Sequence, residues 1–211
     1  MHETLEALME RHFPAAEAGL IYSNSAQFSI QQRWCRLSPD ELIVDNRDNF
    51  DQSEIQVWTP ESDVETFSEH YRFRIIRPVS KSIFLLSSPL AGKVEIVIRG
   101  GSQRVAILSR SAMKLSARLI NDCSLLIGEN TSIMGARIFL NSSDISVGCN
   151  GLWSDEVIVQ GSDQHGIVDL STGEIINKER SSITIGRHVW LGRRSMVMKN
   201  VDIGEWPAPM G

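Results

Sequence analysis

The sequence predicts a mainly β chain, in which six-residue units wind into stacked parallel coils behind a small mixed α/β part. Three observations predict it. Between Ile185 and Gly204 an aliphatic residue recurs every six positions, as Ile185, Leu191, Val197 and Ile203, and glycine follows in three of the four cases. A looser copy of the period runs through Ile127, Ile133, Phe139 and Ile145, with Val147-Gly148 and Trp153 marking a phase slip of two residues. From about residue 94 onward long helical patterns disappear, and short β-type runs follow one another with very little proline.

The first thirteen residues predict a helix, because Leu5, Leu8, Met9 and Phe13 share one helical face and Pro14 stops it. Leu42 to Val44 and Ile55 to Trp58 are short apolar or alternating runs bounded by Asp, Asn and Pro, which predicts strands. Pro60 to His70 predicts a second short helix, with Thr59 as N-cap and Pro60 at the first helical position. Arg72 to Ile75 and Val94 to Ile98 alternate again. Residues 1–92 are therefore expected to form a mixed α/β cap in which no chemistry is visible. Residues 93–211 are expected to form the coils, interrupted by a polar loop over 161–182.

The six-residue period has a direct physical reading. A short strand points one aliphatic side chain inward and a tight turn with a small residue follows. Three such units close a triangular coil of about 18 residues, and stacked coils pile their aliphatic residues into an interior column. No coil buries its own apolar face, so stability comes from stacking.

Composition narrows the class further. The chain has 211 residues, 42% hydrophobic and 22% charged, which argues against disorder and collagen-like structure. No apolar run approaches the ~20 residues needed to cross a bilayer. Met1-His2-Glu3-Thr4 lacks the basic start and apolar core of a secretory leader. Three cysteines, Cys35, Cys123 and Cys149, with no CxxC spacing, are expected to be reduced thiols in a cytoplasmic protein. Residues 1–70 carry 14 acidic and 4 basic side chains, and the remainder carries 12 acidic and 17 basic. No run of five basic residues exists and the pI is about 5.6, so a bulk nucleic-acid binder is not expected. Arginine outnumbers lysine 16 to 5. Such a bias suits fixed binding of phosphate or carboxylate, or an ordinary solvated surface.

The stretch Ile183-Thr-Ile-Gly-Arg-His-Val-Trp-Leu-Gly192 closely resembles the hexapeptide-repeat acyltransferases, whose motif has the form I-x-I-G-x-x-V-W-[IL]-G. Ser162-Asp-Gln-His-Gly-Ile-Val-Asp169, with Asn177 after it, resembles the members that acetylate sugars and surface polysaccharides. The clear resemblance covers about residues 120–205. It implies a left-handed parallel β-helix, acetyl-CoA as donor, a hydroxyl of a capsular, O-antigen or related saccharide as acceptor, and a homotrimer. It also implies that a histidine on a loop between coils acts as the base.

His165 is that candidate. Acetyl transfer from a thioester to a hydroxyl needs a group that takes the hydroxyl proton near neutral pH, and imidazole suits the task. Asp163 or Asp169 could accept from its Nδ1 and fix the tautomer; the i, i+2 spacing favours Asp163. Either aspartate equally fits an Asx turn. Backbone N–H groups near Gly161 or Gly166 are candidate oxyanion donors. Trp190 precedes the inward Leu191, so alternation points it outward, where it needs a subunit, the acyl donor or a sugar face as partner. Arg187, Arg193, Arg194 and Lys199 cluster in the last repeats and could pair with coenzyme A phosphates or form a solvated edge. His188 falls at a turn, and Cys149 reads as a small interior residue.

Metal chemistry is not expected. The zinc-binding gamma-type carbonic anhydrases of similar architecture need three imidazoles around the metal, whereas this region offers only His165 and His188. One departure from the resembling family stands at the C-terminus, where Gly204-Glu205 leads into Trp206-Pro-Ala-Pro-Met-Gly211 instead of further repeats. Two rival readings therefore stand beside the O-acetyltransferase. One is a non-catalytic or truncated scaffold. The other is an N-acetyltransferase acting on a nucleotide-linked amino sugar.

Overall fold

The computed structural model describes residues 2–14, 18–22, 32–38, 44–45 and 54–204. Leu42, Ile43 and the tail after Gly204 lie outside the described residues. The chain is mainly β, and its parallel strands stack into a solenoid of about six turns. One face is a continuous parallel ladder of the strands Ile55–Pro60, Ser82–Leu86, Gln103–Ile107, Cys123–Ile127, Ser143–Val147, Ser181–Ile185 and Asp202–Ile203. The opposite side holds Tyr71–Val79, Val94–Gly101, Met113–Ile120 and Ser132–Asn141. The parallel ladders already run from Ile55, so coil architecture extends N-terminal to the expected boundary at residue 93.

The interior column is built from positions in register. Leu86, Ile107, Ile127, Val147, Ile185 and Ile203 follow one another from coil to coil. A parallel column runs through Val57, Phe84, Val105, Leu125, Ile145 and Ile183. Ile185, Leu191 and Val197 of the six-residue repeat are all buried. Phe139 is an exception to the looser repeat: Ile138 and Leu140 face inward, and Phe139 lies half-buried on the outside under Arg118. Strand alternation cannot bury all three neighbours, and the two aliphatics take the interior.

Coil length explains why only the last repeats look regular. Thr184 pairs with Asp202, so the last turn is made of three whole six-residue units. Upstream, Gln103 pairs with Cys123 and Ser124 with Asp144, so each of those turns is slightly longer than three units. The regular triangle thus holds for the last turn alone. In the wider coils, two sides of the triangle merge into one long strand, Ser132–Asn141, whose register shifts between Ile133 and Ala136. The next coil splits that strand into Leu152–Trp153 and Val157–Gln160.

Corners are left-handed turns. His188, Arg194 and Asn200 have φ of 57°, 63° and 59°, at three successive corners of the six-residue repeat. Asn130 and Asn150 occupy equivalent corners, and Asn130 donates to Asn150 at 3.4 Å. Asparagine tolerates this conformation better than most residues. Glycine after the inward aliphatic serves close stacking. A Cβ on Gly148 would lie 2.6 Å from the Gly186 carbonyl carbon and the Arg187 nitrogen. A Cβ on Gly192, by contrast, would meet only the Ser195 hydroxyl, at 3.8 Å.

The front of the chain covers one outer face. The expected first helix is Leu5–His12, capped by the Thr4 hydroxyl, which accepts from the Ala7 N–H at 3.3 Å. Its Leu5, Leu8 and Met9 pack with Trp34, Trp58, Ile83, Leu85 and Leu126 on the outside of the first ladder. Burial on both faces is why Ile83 to Leu86, within the strand Ser82–Leu86, reads as an unbroken apolar run. Arg33–Arg36 pairs antiparallel onto Ile55–Pro60, and His2–Thr4 pairs antiparallel onto Arg33–Arg36, so a short strand forms the edge of the sheet. Leu20 and Ile21 reach further along, their carbonyls accepting from the N–H of Cys149 and Glu129.

The second helix differs from expectation. Ile55–Pro60 stays extended, with short helical turns only at Glu61–Asp63 and Phe67–His70. Thr59 caps nothing. Its hydroxyl is fully buried and donates to the Leu86 carbonyl at 2.7 Å, a bond to the neighbouring coil. No helix among the described residues is long and apolar enough to cross a membrane.

Candidate active site

An excursion leaves the coils after Gln160 and returns at Ser181, so the strand partner of Ser143 on the following coil is Ser181. Its two ends meet, because the Ser181 hydroxyl donates to the Gly161 carbonyl. The Arg180 guanidinium holds the return leg by a two-point contact with Asp144, 2.6 Å in each arm, and donates to the Asp122 carbonyl at 2.9 Å. The distal part folds as a small hairpin. Val168 bridges Ile175, the Ile176 N–H donates to the Ile167 carbonyl at 2.9 Å, and Gly173 turns the chain at φ 72°.

Asn177 clasps the base of this hairpin. Its Oδ1 accepts from the Ile167 N–H at 2.8 Å, and its Nδ2 donates to the His165 carbonyl and to Asp163 Oδ2, both at 2.8 Å. The Lys199 ammonium, from the last described turn, donates to the same Asp163 oxygen. The Asn177 bond and then the Lys199 ammonium hold the Asp163 carboxyl below the usual carboxylate range.

His165 sits where two clefts meet. One, of about 260 Å³, opens toward Asn121, Asn141, Asn177 and Lys199. The other, of about 170 Å³, opens toward Arg99, Arg118 and Phe139. The imidazole is exposed and makes no hydrogen bond or ion pair among the described residues. Asp163 therefore does not orient it within the chain; a cation and an amide compete successfully for the carboxylate. Asp169 is an Asx turn, accepting from the Ser171 hydroxyl at 2.6 Å and the Ser171 N–H at 2.8 Å. The Gly161 N–H is committed to the Phe139 carbonyl at 2.8 Å, which removes it as an oxyanion donor.

The remaining sequence candidates lie outside the two clefts. Trp190 points outward as expected, 71% exposed, with Nε1 3.5 Å from the Ser154 hydroxyl. It pairs in register with the exposed Leu152. Arg193 is held by Asp155 at 3.2 Å and Glu156 at 2.9 Å, and Arg194 by Glu156 at 2.6 Å. These bonds, Arg194 first, hold the Glu156 carboxyl below its usual range. Arg187 is half-buried at the corner before His188. Cys149 is buried, as expected, with its thiol 3.3 Å from the Tyr22 carbonyl.

Sequence reasoning put Asp163 beside His165 and grouped Lys199 with the arginines of the last repeats; the structure instead joins Lys199 to Asp163, and it adds Arg99, Arg118 and Phe139 to the lining beside His165. The arginines' only signal was outward placement on alternating strands, and Phe139 read as an inward repeat residue; all three come from coils upstream of the loop.

The chain is 36% identical over 88 residues to a polysialic acid O-acetyltransferase of Neisseria meningitidis. The match covers 41% of this chain and spans about 40% of the relative's length. No family profile matches the chain, and no solved structure matches it. The stacked parallel coils and this partial relative together support a resemblance to the hexapeptide-repeat O-acetyltransferases.

Proposed function

We propose that the protein transfers an acetyl group from acetyl-CoA to a hydroxyl of a saccharide, with His165 as the general base. The observation that carries this reading is the His165 imidazole, without an intramolecular partner among the described residues, at the junction of two clefts on a loop clasped by Asn177. In the reaction, His165 takes the hydroxyl proton as the oxygen attacks the thioester carbon. The N–H of Gly166, which makes no hydrogen bond among the described residues, is the remaining backbone candidate to meet the oxyanion. Collapse expels the coenzyme A thiolate, which recovers the proton from the imidazolium.

Arg187 and Trp190 are assigned to the donor or to a neighbouring subunit. Arg193 would have to leave its acidic partners to reach a phosphate, so its part is the weakest. The chain is proposed to act as a homotrimer in the cytoplasm. Exposed Trp190, Leu152 and Met196, with Leu170 at 98% exposure on the hairpin, form apolar surface that assembly would cover.

The test is acetyl-CoA binding by calorimetry to the unmutated chain and to His165→Ala, followed by acetylation of a saccharide panel. Binding to both with transfer by the unmutated chain alone supports the reading; removal of a general base costs roughly 10²- to 10⁴-fold in rate. Absence of binding to either would make the chain a scaffold. Transfer to nucleotide-linked amino sugars alone would make it an N-acetyltransferase.

A further inference from the structure

We propose that the smaller cleft beside His165 is a carboxylate subsite, in which Arg99 and Arg118 bind the acid group of an acidic saccharide acceptor. The inference rests on the acetyl-transfer reading and names its substrate class.

What distinguishes these two guanidiniums is their place in a cleft with His165. Arg72, Arg74, Arg180, Arg193 and Arg194 each close an ion pair with an acid. Arg99 and Arg118, like Arg77, close none among the described residues, and both line the cleft that holds His165. The cleft they share with His165 has no aspartate or glutamate in its lining. Arg118 lies over Phe139, 5.5 Å from the ring centroid, which leaves its edge donors available.

Strand register concentrates the charge. Arg77 pairs with Arg99 in the parallel ladder, and Arg118 lies on the coil that follows. Arg118 stands opposite Val97, and Arg99 opposite Ile120, so the two arginines are diagonal neighbours on adjacent strands about 4.8 Å apart, near enough for one anion to lie between them. Guanidinium binds carboxylate through two parallel N–H···O bonds, which fixes direction as well as charge. An acid group held there would bring the same or the next sugar ring against His165. Acceptor choice would then be set by the coils, while proton transfer is set by the loop.

The test measures affinity and acetyl transfer for acidic oligosaccharides, of a hexuronic acid and of a 2-keto sugar acid, beside carboxyl-reduced counterparts of equal length. The expected result has four parts. The unmutated chain binds at least one acidic series about tenfold or more tightly than its reduced form. Arg99→Gln/Arg118→Gln abolishes that preference. Acetyl-CoA affinity is unchanged in the variant. The charge-retaining Arg99→Lys/Arg118→Lys pair, also the safeguard should the first variant fold poorly, keeps part of the preference.

Equal affinity for acidic and reduced forms overturns the proposal, as does a preference that survives the glutamine pair. Loss of acetyl-CoA affinity in the variant also overturns it, since the arginines would then serve donor phosphates. The parent reading fails separately. Acidic saccharide bound through the arginines with no acetyl moved would leave the subsite standing and remove the transferase. Acetylation of reduced acceptors at an undiminished rate would do the reverse.

Discussion

Lys199 and Asp163 are far apart in sequence, and their ion pair ties the His165 loop to the last described turn of the solenoid. Both side chains are partly exposed, so solvent screening leaves the pair little weight in global stability. Lys199→Met should therefore move Tm by less than about 4 °C. The loop should respond more. We expect faster hydrogen exchange over 161–180 and a roughly tenfold or greater fall in acetyl transfer, because misplacement of a base costs rate steeply. An unchanged exchange pattern in Lys199→Met would remove the tether.

The same pair sets an acid limit. The Asp163 carboxyl is held below its ordinary value of 3.8 by Asn177 and then Lys199. A depressed carboxyl pKa contributes stability that is present above the unfolded value and lost as pH falls through the folded one. Between about pH 5 and 8 the tether should hold, and pH dependence of transfer there should belong to other groups. It should release only as pH falls through the depressed value of the folded state, below the ordinary carboxylate range. Limited proteolysis by pepsin at stepped pH reads this directly: cuts in 161–180 should rise as pH falls, and Asp163→Asn should be cut even at the upper end of the range.

Legibility in the sequence followed coil length. The last turn is made of three whole six-residue units, so Ile185, Leu191 and Val197 repeat visibly and all point inward. Longer turns upstream break that phase, and a merged strand such as Ser132–Asn141 hides a corner altogether. The strands Ile55–Pro60 and Ser82–Leu86 did not read as coil rungs for a further reason. The helix Leu5–His12 buries their outer face, which erases the alternation that announces a half-exposed strand. His165 was visible because its loop carries a motif. Arg99 and Arg118 were not, since only the register of stacked coils brings them to the same cleft.

Stacking glycines give a test of that register. A Cβ on Gly148 would meet backbone at 2.6 Å, and backbone cannot swing aside as a side chain can. Gly148→Ala should cost about 1–3 kcal/mol, the range for overpacking. Gly192→Ala makes an ordinary contact with the Ser195 hydroxyl and should be nearly neutral. Equilibrium urea unfolding of the two variants checks the contrast; equal costs would mean that the coils are less tightly stacked at the Gly128, Gly148 and Gly186 corner.

Thr131 offers a test of polar satisfaction at the neighbouring corner. It is fully buried, its hydroxyl donates to the Gly148 carbonyl at 2.7 Å, and it accepts from the Gly151 N–H at 3.1 Å. One hydroxyl thus joins the turn after Ile127 to the turn of the next coil. Thr131→Val keeps the shape and removes both bonds, leaving a buried donor and acceptor without this partner, at a cost of about 1–3 kcal/mol. Thr131→Ser restores the hydroxyl and loses only a methyl group, so it should recover most of that cost. The turn also sets the rung that carries Trp190: Leu152, next to Gly151, donates to the Val189 carbonyl at 3.0 Å. Thr131→Val should therefore raise hydrogen exchange at Leu152 and alter Trp190 fluorescence before global unfolding, whereas Thr131→Ser should not. A valine variant as stable as the unmutated chain would show that the hydroxyl is dispensable to the corner.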